Sequence, residues 1–181
     1  QLAIQRQLRN AHPGQAQSEI TLSQSYLHLG NAQRLAGDAK GALQSLLESQ
    51  RIIEPFVAAD PNEVRSRTLL ATARHRIAQA RADLGETDEA SRSLRAVLEE
   101  RRLLAERNPA NAGARGEVAE TLSALGDVAA KVKRPDDAAR YYQGALDIFA
   151  ALKKEGRSNF ANEEEVQRIN EQLAAIAKRK P

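Results

Sequence analysis

The chain contains no cysteine, no methionine and no tryptophan, and aromatic residues make up only 3% of its 181 residues. Without thiols, disulfide bonds and thiolate metal sites are excluded. The shortage of aromatic side chains argues against a surface on which nucleic-acid bases stack. No apolar run approaches the roughly 18 residues that span a bilayer. These absences exclude thiol chemistry and disfavour base-stacking and membrane-spanning functions.

A strong excess of either charge is also missing. The 27 Lys and Arg residues are nearly balanced by 24 Asp and Glu residues, and the two signs are interspersed. A nucleic-acid binder more often concentrates basic residues on one face, so no nucleic-acid partner is expected. The abundant residues are Ala, Leu, Arg, Glu and Gln, which favour helices, while β-branched and aromatic residues are scarce. The composition therefore predicts an all-α protein.

An internal repeat organises the chain, and its prolines reveal the period. Pro13, Pro61 and Pro109 are equally spaced, and the same 48-residue step relates Ala42, Ala90 and Ala138. Each unit is predicted to contain two helices joined by a turn, built on Gly37-Asp38, Gly85-Glu86 and Lys133-Arg134-Pro135. Asp38 and Asp136 are the predicted caps of the helices that follow these turns. The first helices are predicted at 14–35, 62–83 and 110–131, and the second helices at 38–58, 86–107 and 135–155. In the first unit, apolar or small residues are predicted to share one face of each helix. On the first helix these are Leu22, Ser25, Leu29, Ala32 and Ala36. On the second helix they are Ala42, Leu46, Ser49, Ile53 and Phe56.

The period divides the chain into repeats at 14–60, 61–108 and 109–157. Residues 1–13 align with the end of a second helix from a preceding repeat, which indicates a cut N-terminus. Residues 158–181 align with a first helix whose polar surface is typical of a solubilising cap, which indicates a natural C-terminus. The apolar residues Leu2, Ile4 and Leu8 predict a homodimer through the truncated N-terminal helix.

The repeated motif resembles the tetratricopeptide repeat. It consists of Leu-Gly, a small residue twelve positions later and a bulky apolar residue four positions after that. The three instances are Leu29-Gly30…Ala42…Leu46, Ile77-Ala78…Ala90…Leu94 and Leu125-Gly126…Ala138…Tyr142. The resemblance implies a right-handed α-solenoid of antiparallel helix pairs, with a concave groove lined by first helices. Small residues in the motif would allow two helix backbones to approach closely.

The chain departs from the family in two respects. The usual period is about 34 residues, so each helix here is longer by about two turns. The aromatic residue expected before the Leu is present as Tyr26, but Arg74 and Leu122 stand in its place in the later repeats. The long form resembles repeats of large bacterial regulatory proteins, including C-terminal regions of serine/threonine kinases. No kinase motif is present in these residues.

Residues that could support catalysis are poorly represented. The three histidines, His12, His28 and His75, do not have metal-ligand spacing. No glycine-rich phosphate loop, nucleophile elbow or metalloprotease motif is found. We therefore predict a non-catalytic protein without a cofactor or metal.

The groove is the better candidate site. Family positions, carried onto this chain, direct polar residues of the first helices inward. These predicted groove residues are Gln24, Asn31 and Arg34 in the first repeat, Thr72, His75 and Gln79 in the second, and Glu120, Ser123 and Asp127 in the third. Binding of a chaperone C-terminal carboxylate is disfavoured, because Leu27 replaces a needed Lys and the third repeat is acidic.

A basic stripe is predicted on the second repeat, where Arg67, Arg74 and Arg81 recur every seventh position on one helix side. One interpretation is structural: the side-chain stems cover apolar surface and the guanidinium groups reach water or a neighbouring Glu. The other is a binding stripe for an acidic peptide or a phosphate. Pro55 is predicted to bend the second helix of the first repeat or end it early.

The predicted function is a protein-interaction or ligand-sensing module that binds a peptide or partner protein in the concave groove. The alternative is a structural spacer or self-association module without a groove ligand. A nucleic-acid binder is a third, weaker hypothesis. The segment is not expected to contact a membrane. A cytoplasmic location is favoured and an extracytoplasmic one is left open.

Overall fold

The computed structural model describes residues 13–178, and these form seven α-helices and no β-strand. The helices are α1 Pro13–Leu35, α2 Ala39–Ala59, α3 Val64–Asp83, α4 Thr87–Arg107, α5 Ala112–Lys131, α6 Pro135–Lys154 and α7 Phe160–Ala177. The first six begin and end close to the predicted bounds. The all-α class and the successive helix pairs of a solenoid-type repeat fold are thereby confirmed. The predictions for residues 1–12 and for 179–181 lie outside the described residues.

The chain divides into two compact units, and the division falls within α4, between Ser93 and Leu94. The first unit contains α1, α2, α3 and the start of α4, and the second contains the rest of α4 with α5, α6 and α7. This division does not coincide with a predicted repeat boundary, so the repeat limits stay a prediction. None of the described helices is both long and apolar enough to cross a bilayer.

The core of the first unit lies where α2 packs against α1 and α3. The predicted face of α2 is confirmed: Ala42, Leu46, Ser49 and Ile53 are buried, and Phe56 is partly buried. The apolar cluster consists of Ile20, Leu27, Ala42, Leu46, Ile53, Leu69, Leu70, Ala73, Ile77 and Ala80. Burial of this surface from water is the main source of stability in the unit.

The predicted face of α1 is wrong. Every residue assigned to it is exposed: Leu22, Ser25, Leu29, Ala32 and Ala36. The buried side of α1 instead contains Ile20, Ser23, Leu27 and Gly30. Leucines occur on both sides of this helix, so periodicity alone could not select the face that meets α2. Hydrogen bonds select it: Ser23 Oγ donates to the Ser49 carbonyl at 2.9 Å, and Ser49 Oγ donates to the Ser23 carbonyl at 2.8 Å.

Tight turns join the helices of each pair, and one residue in each turn adopts a left-handed conformation. This residue is Gly37 with φ 86°, Gly85 with φ 87° and Lys133 with φ 58°. The three positions are equally spaced by the period of the prolines, so the turn repeats with the sequence. Glycine adopts this conformation without a steric cost, whereas Lys133 does not.

Side chains cap the N-termini of α2, α3, α5 and α7. Asp38 Oδ1 accepts a hydrogen bond from the Gly41 N–H at 2.9 Å, which confirms its predicted capping role. The same role predicted for Asp136 is wrong, because α6 begins at Pro135 with Arg134 as its N-cap and without a side-chain cap. Pro55 does not end α2 early, since the helix continues to Ala59.

Close helix contacts explain the small residues of the motif. A methyl group on Gly30 would lie 2.6 Å from Leu46 Cγ, and one on Gly126 would lie 2.5 Å from Tyr142 Cε1. No carbon pair tolerates such distances, so both positions exclude a larger residue unless the neighbour moves. The second unit places α6 against α5 in this way, with Ala138, Tyr142, Ala145, Phe149 and Leu152 buried along α6.

Candidate functional site

The predicted groove residues of the first repeat lie on α1. Arg34 Nη1 is 3.2 Å from Asp83 Oδ2 at the end of α3, and Gln24 and Asn31 are half-buried. Asn31 Oδ1 and Arg34 Nε are shielded from solvent and have no hydrogen-bond partner in the described part of the chain. Such an atom costs about 1–3 kcal/mol when its partner is missing. The surface around Asn31 and Arg34 is therefore the strongest candidate for a ligand that supplies those partners.

The predicted groove residues of α3 are differently placed. Thr72 Oγ1 donates to the Thr68 carbonyl of its own helix at 2.9 Å, and Gln79 Oε1 accepts from Arg76 Nη1 at 3.0 Å. Both are half-buried. His75 is only 1% exposed and belongs to the interior of the first unit. Because α3 packs against both α1 and α2, few of its sides are left for a ligand.

In the second unit, helix α7 covers two of the predicted groove residues of α5. Arg168 Nη1 donates to Asp127 Oδ1 at 2.9 Å, and Arg168 Nη2 donates to Ser123 Oγ at 2.6 Å. Ser123 Oγ also donates to Glu165 Oε1 at 2.6 Å. Ser123 is 1% exposed as a result, whereas Glu120 stays half-buried. Ser123 and Asp127 thus bind α7.

Charge and burial reinforce this network. Tyr142 of α6 donates its hydroxyl to Asp127 Oδ1 at 2.7 Å. Burial, together with the neighbouring Asp127 carboxylate, raises the pKa of Tyr142 above its ordinary value. Hydrogen bonds to Glu165 raise the pKa of Arg168. The phenol therefore stays neutral and the guanidinium stays charged around neutral pH, which holds α5, α6 and α7 together.

Two of the three arginines of the basic stripe, Arg74 and Arg81, form ion pairs with neighbouring carboxylates. Arg74 Nη2 is 3.1 Å from Glu54 Oε1 of α2. Arg81 is 3.1 Å from Glu89 and 3.7 Å from Glu86. Arg67 is half-buried on the same helix. These contacts match the structural interpretation of the stripe, and its role in binding phosphate or acidic peptides stays a prediction.

A buried arginine was missed by sequence reasoning. Arg101 of α4 is 2% exposed; its Nη1 donates to the Glu117 carbonyl at 2.9 Å and to Thr121 Oγ1 at 2.8 Å on α5. The 48-residue step relates Arg101 to Ile53 and Phe149, which are both buried apolar residues. The presence of a charged residue at a position that is apolar in the other two repeats was the sequence signal that could have indicated a buried arginine.

The Glu117 carboxylate belongs to the same cluster. Its Oε2 lies 3.7 Å from Arg101 Nε. Burial raises the pKa of Glu117, and the nearby Arg101 opposes this shift without cancelling it. The cluster holds α4 against α5. Within residues 13–178, no group of three or more His, Asp or Glu side chains is placed to hold a metal ion.

Comparison with protein-family models gives no match, and comparison with curated proteins gives none either. Among solved structures, the chain is similar to BtubC (BKLC) from P. vanneervenii. That match has a TM-score of 0.56 and 16% identity, and it covers 99% of this chain and 70% of that chain. A crystal structure of MamA protein matches with a TM-score of 0.32 and 16% identity over 88% of this chain and 96% of that chain. The likeness to BtubC shows the fold, which is an all-α helical-repeat fold.

Proposed function

We propose that this chain is a non-catalytic protein-interaction module of the tetratricopeptide class, in a 48-residue form, within a larger bacterial regulatory protein. A segment of the partner protein binds to the first helices of the repeats. The repeated Leu-Gly…Ala…Leu motif, the close contacts at Gly30 and Gly126, and the likeness to BtubC in fold support this assignment. Repeat folds of this kind present extended surfaces to protein partners.

The observation that carries the proposal is the pair of unsatisfied polar atoms on α1. Asn31 Oδ1 is an acceptor and Arg34 Nε is a donor, and neither has a hydrogen-bond partner among the described residues. Most buried polar atoms in folded proteins are paired. An extended peptide offers both complementary groups, because each residue carries an N–H donor and a C=O acceptor. A partner backbone lying along α1 would satisfy both atoms once the two half-buried side chains turn outward to face it.

In each unit, the proposed contact residues are fewer than the predicted groove residues. In the first unit it comprises the half-buried residues Gln24, Asn31, Arg34, Thr72 and Gln79. His75 is omitted because it is buried. In the second unit, Glu120 is retained, while Ser123 and Asp127 are omitted because they bind Arg168 of α7.

Quantitative affinity capture from lysate of the native organism tests this proposal. The wild-type chain is compared with Asn31→Ala/Arg34→Glu, and with a matched control, Gln44→Ala/Arg51→Glu. Both control residues are exposed on α2. We expect a partner that is retained by wild type and control and reduced at least about tenfold in the α1 variant, as for a binding hot spot. Circular dichroism establishes that all three chains are equally helical.

Equal capture by all three chains would show that the α1 surface does not bind the partner. Capture of the chain by itself alone, with a concentration-dependent mass in sedimentation, would favour the alternative function as a spacer or self-association module. In either case the proposed function would be wrong.

A further inference from the structure

A second surface lies in the cleft between α6 and α7, apart from the proposed groove surface. The cleft has a volume of about 800 Å³, and its floor includes Leu146, Phe149 and Val166. Ala174 lines the same cleft and is exposed. The rim carries Lys153 and Glu163, whose charged atoms are 3.8 Å apart. An apolar floor with a charged rim is typical of a groove that binds an amphipathic helix.

The repeat register shows which kind of side chain fits against Ala174. The 48-residue step relates Ala174 to Gly30 and Gly126. Gly30 of α1 contacts Leu46 of α2, and Gly126 of α5 contacts Tyr142 of α6. In both cases the position receives a bulky apolar residue from the helix that follows. The Ala174 position is therefore shaped for a bulky apolar residue of a helix in the corresponding place.

The register also indicates a charge on that helix. Glu163 corresponds to Arg115, and Arg115 forms a bidentate pair with Glu155 at the end of α6, with distances of 2.7 and 2.9 Å. Because Glu163 has the opposite sign, its complement is a cation at the place of Glu155. The existing Lys153–Glu163 pair is exposed and contributes little.

We propose that this cleft binds an amphipathic α-helix of a partner protein that runs antiparallel to α7. The helix places a leucine against Ala174 and, further along its sequence, a Lys or Arg against Glu163. These two residues have the spacing of Tyr142 and Glu155, which occupy the corresponding places in the preceding repeat. The antiparallel direction follows because the apolar contact comes near the end of α7 and the charged contact near its start.

Leucine is the expected bulky residue because Ala174 carries a Cβ, as Ala78 does at the same register position. The second motif of the sequence pairs Ala78 with Leu94. In the α4 sequence, Arg107 follows Leu94 at the required spacing, so this segment contains both residues. A peptide of this α4 segment is therefore the probe for binding to the cleft.

The test titrates the full chain with a synthetic amidated peptide of residues 86–108, and with the same peptide carrying Arg107→Glu. Binding is measured as the fluorescence anisotropy of a dye attached to the N-terminus of each peptide. The wild-type chain is expected to prefer the Arg107 peptide by about two- to fivefold, as for a partly exposed ion pair. The Glu163→Lys chain is expected to reverse this preference. This reversal distinguishes the proposed contact between Glu163 and the cation of the helix from non-specific binding of an apolar peptide.

Two alanines of α7 provide a matched pair for the apolar contact. Ala174 and Ala175 are both exposed, but only Ala174 lines the cleft. Ala174→Tyr is expected to weaken peptide binding at least about tenfold by filling the space for the leucine, whereas Ala175→Tyr leaves it unchanged. The Asn31→Ala/Arg34→Glu chain is expected to bind the peptide as wild type does. The experiments can therefore disprove the proposed α1 surface and the proposed cleft independently of each other.

Absence of saturable binding up to about 1 mM peptide would overturn the proposal. Equal affinity for both peptides, whatever residue stands at position 163, would overturn it as well. Self-association of the chain that Ala174→Tyr abolishes and Ala175→Tyr preserves would assign the cleft to a second copy, and the proposed partner would be wrong.

Discussion

Arg101 on α4 donates from Nη1 to Oγ1 of Thr121 on α5 at 2.8 Å, with its guanidinium almost completely removed from solvent. The register equivalents of these two residues in the preceding repeat are Ile53 and Ala73, and both belong to an apolar cluster. Glu117 likewise corresponds to Leu69 of that cluster. One repeat fold thus accommodates either an apolar or a polar triad at the same joint between consecutive helices.

We expect the two triads to differ in their response to substitution. Arg101→Ala leaves the Glu117 carboxylate without its ion pair, and such changes cost about 3–5 kcal/mol of unfolding free energy. The triple variant Arg101→Ile/Glu117→Leu/Thr121→Ala installs the apolar triad of the first unit. It is expected to be as stable as wild type or more stable, because no charge stays buried. Urea unfolding followed by circular dichroism at pH 7 measures the unfolding free energy of both variants.

The triple variant also serves as the control for packing. If it is less stable than Arg101→Ala alone, the polar triad contributes interactions that an apolar core cannot replace at this joint. The prediction would then be wrong.

Glu117 predicts a pH dependence of stability. Burial raises its pKa above the ordinary value of 4.5 in the folded chain. Between the unfolded and the raised folded pKa, the native state binds more protons than the unfolded state. The Glu117 contribution to the unfolding free energy therefore decreases as pH rises through this window.

Urea midpoints measured from pH 4 upward test the Glu117 prediction. Glu117→Gln cannot titrate, so its midpoint is expected to fall less than that of wild type over the window above pH 4.5. Identical pH profiles for the two chains would contradict a raised pKa at this carboxyl.

Two glycines of the second unit are expected to respond oppositely to alanine. Gly126→Ala places a methyl 2.5 Å from the buried Tyr142 ring, and overpacking of this kind costs about 1–3 kcal/mol. At Gly144 the nearest atom to an added methyl is Leu122 Cδ1 at 3.5 Å, an ordinary contact. Gly144→Ala is expected to stabilise the chain by up to about 1 kcal/mol through helix propensity. Thermal unfolding of both variants measures the difference.

The double variant Gly126→Ala/Tyr142→Leu is expected to regain stability, because it introduces the alanine–leucine pairing that the second repeat has at Ala78 and Leu94. A Gly126→Ala chain that is as stable as wild type would show that the ring moves away at no cost, contrary to this prediction.

Much of the fold was predictable because the repeat supplies independent copies of the same signal. The 48-residue step located the helix pairs, the turns within them and the small residues at the close contacts of Gly30 and Gly126. The face of α1 was not predictable. Leu22 and Leu29 follow helical spacing as well as Ile20 and Leu27 do, and only the position of α2 distinguishes them.

The candidate site, too, was predictable from the sequence only in part. Asn31 and Arg34 could be named from their register positions, but their unsatisfied atoms became visible only in the folded chain. His75 and Ser123 have equally polar side chains, yet packing of α3 against two helices and of α7 against α5 removes them from solvent.

By itself, the sequence determined the helices, the turns and the small residues at helix contacts, because these depend on backbone preferences and on side-chain size within about one repeat. Only the tertiary structure decided which face of α1 is buried, which polar residues stay accessible, and that Arg101 replaces an apolar core residue. Those outcomes depend on which neighbouring helix covers a given side chain. Burial and hydrogen-bond satisfaction belong to pairs of helices, so residue spacing along one helix cannot determine them.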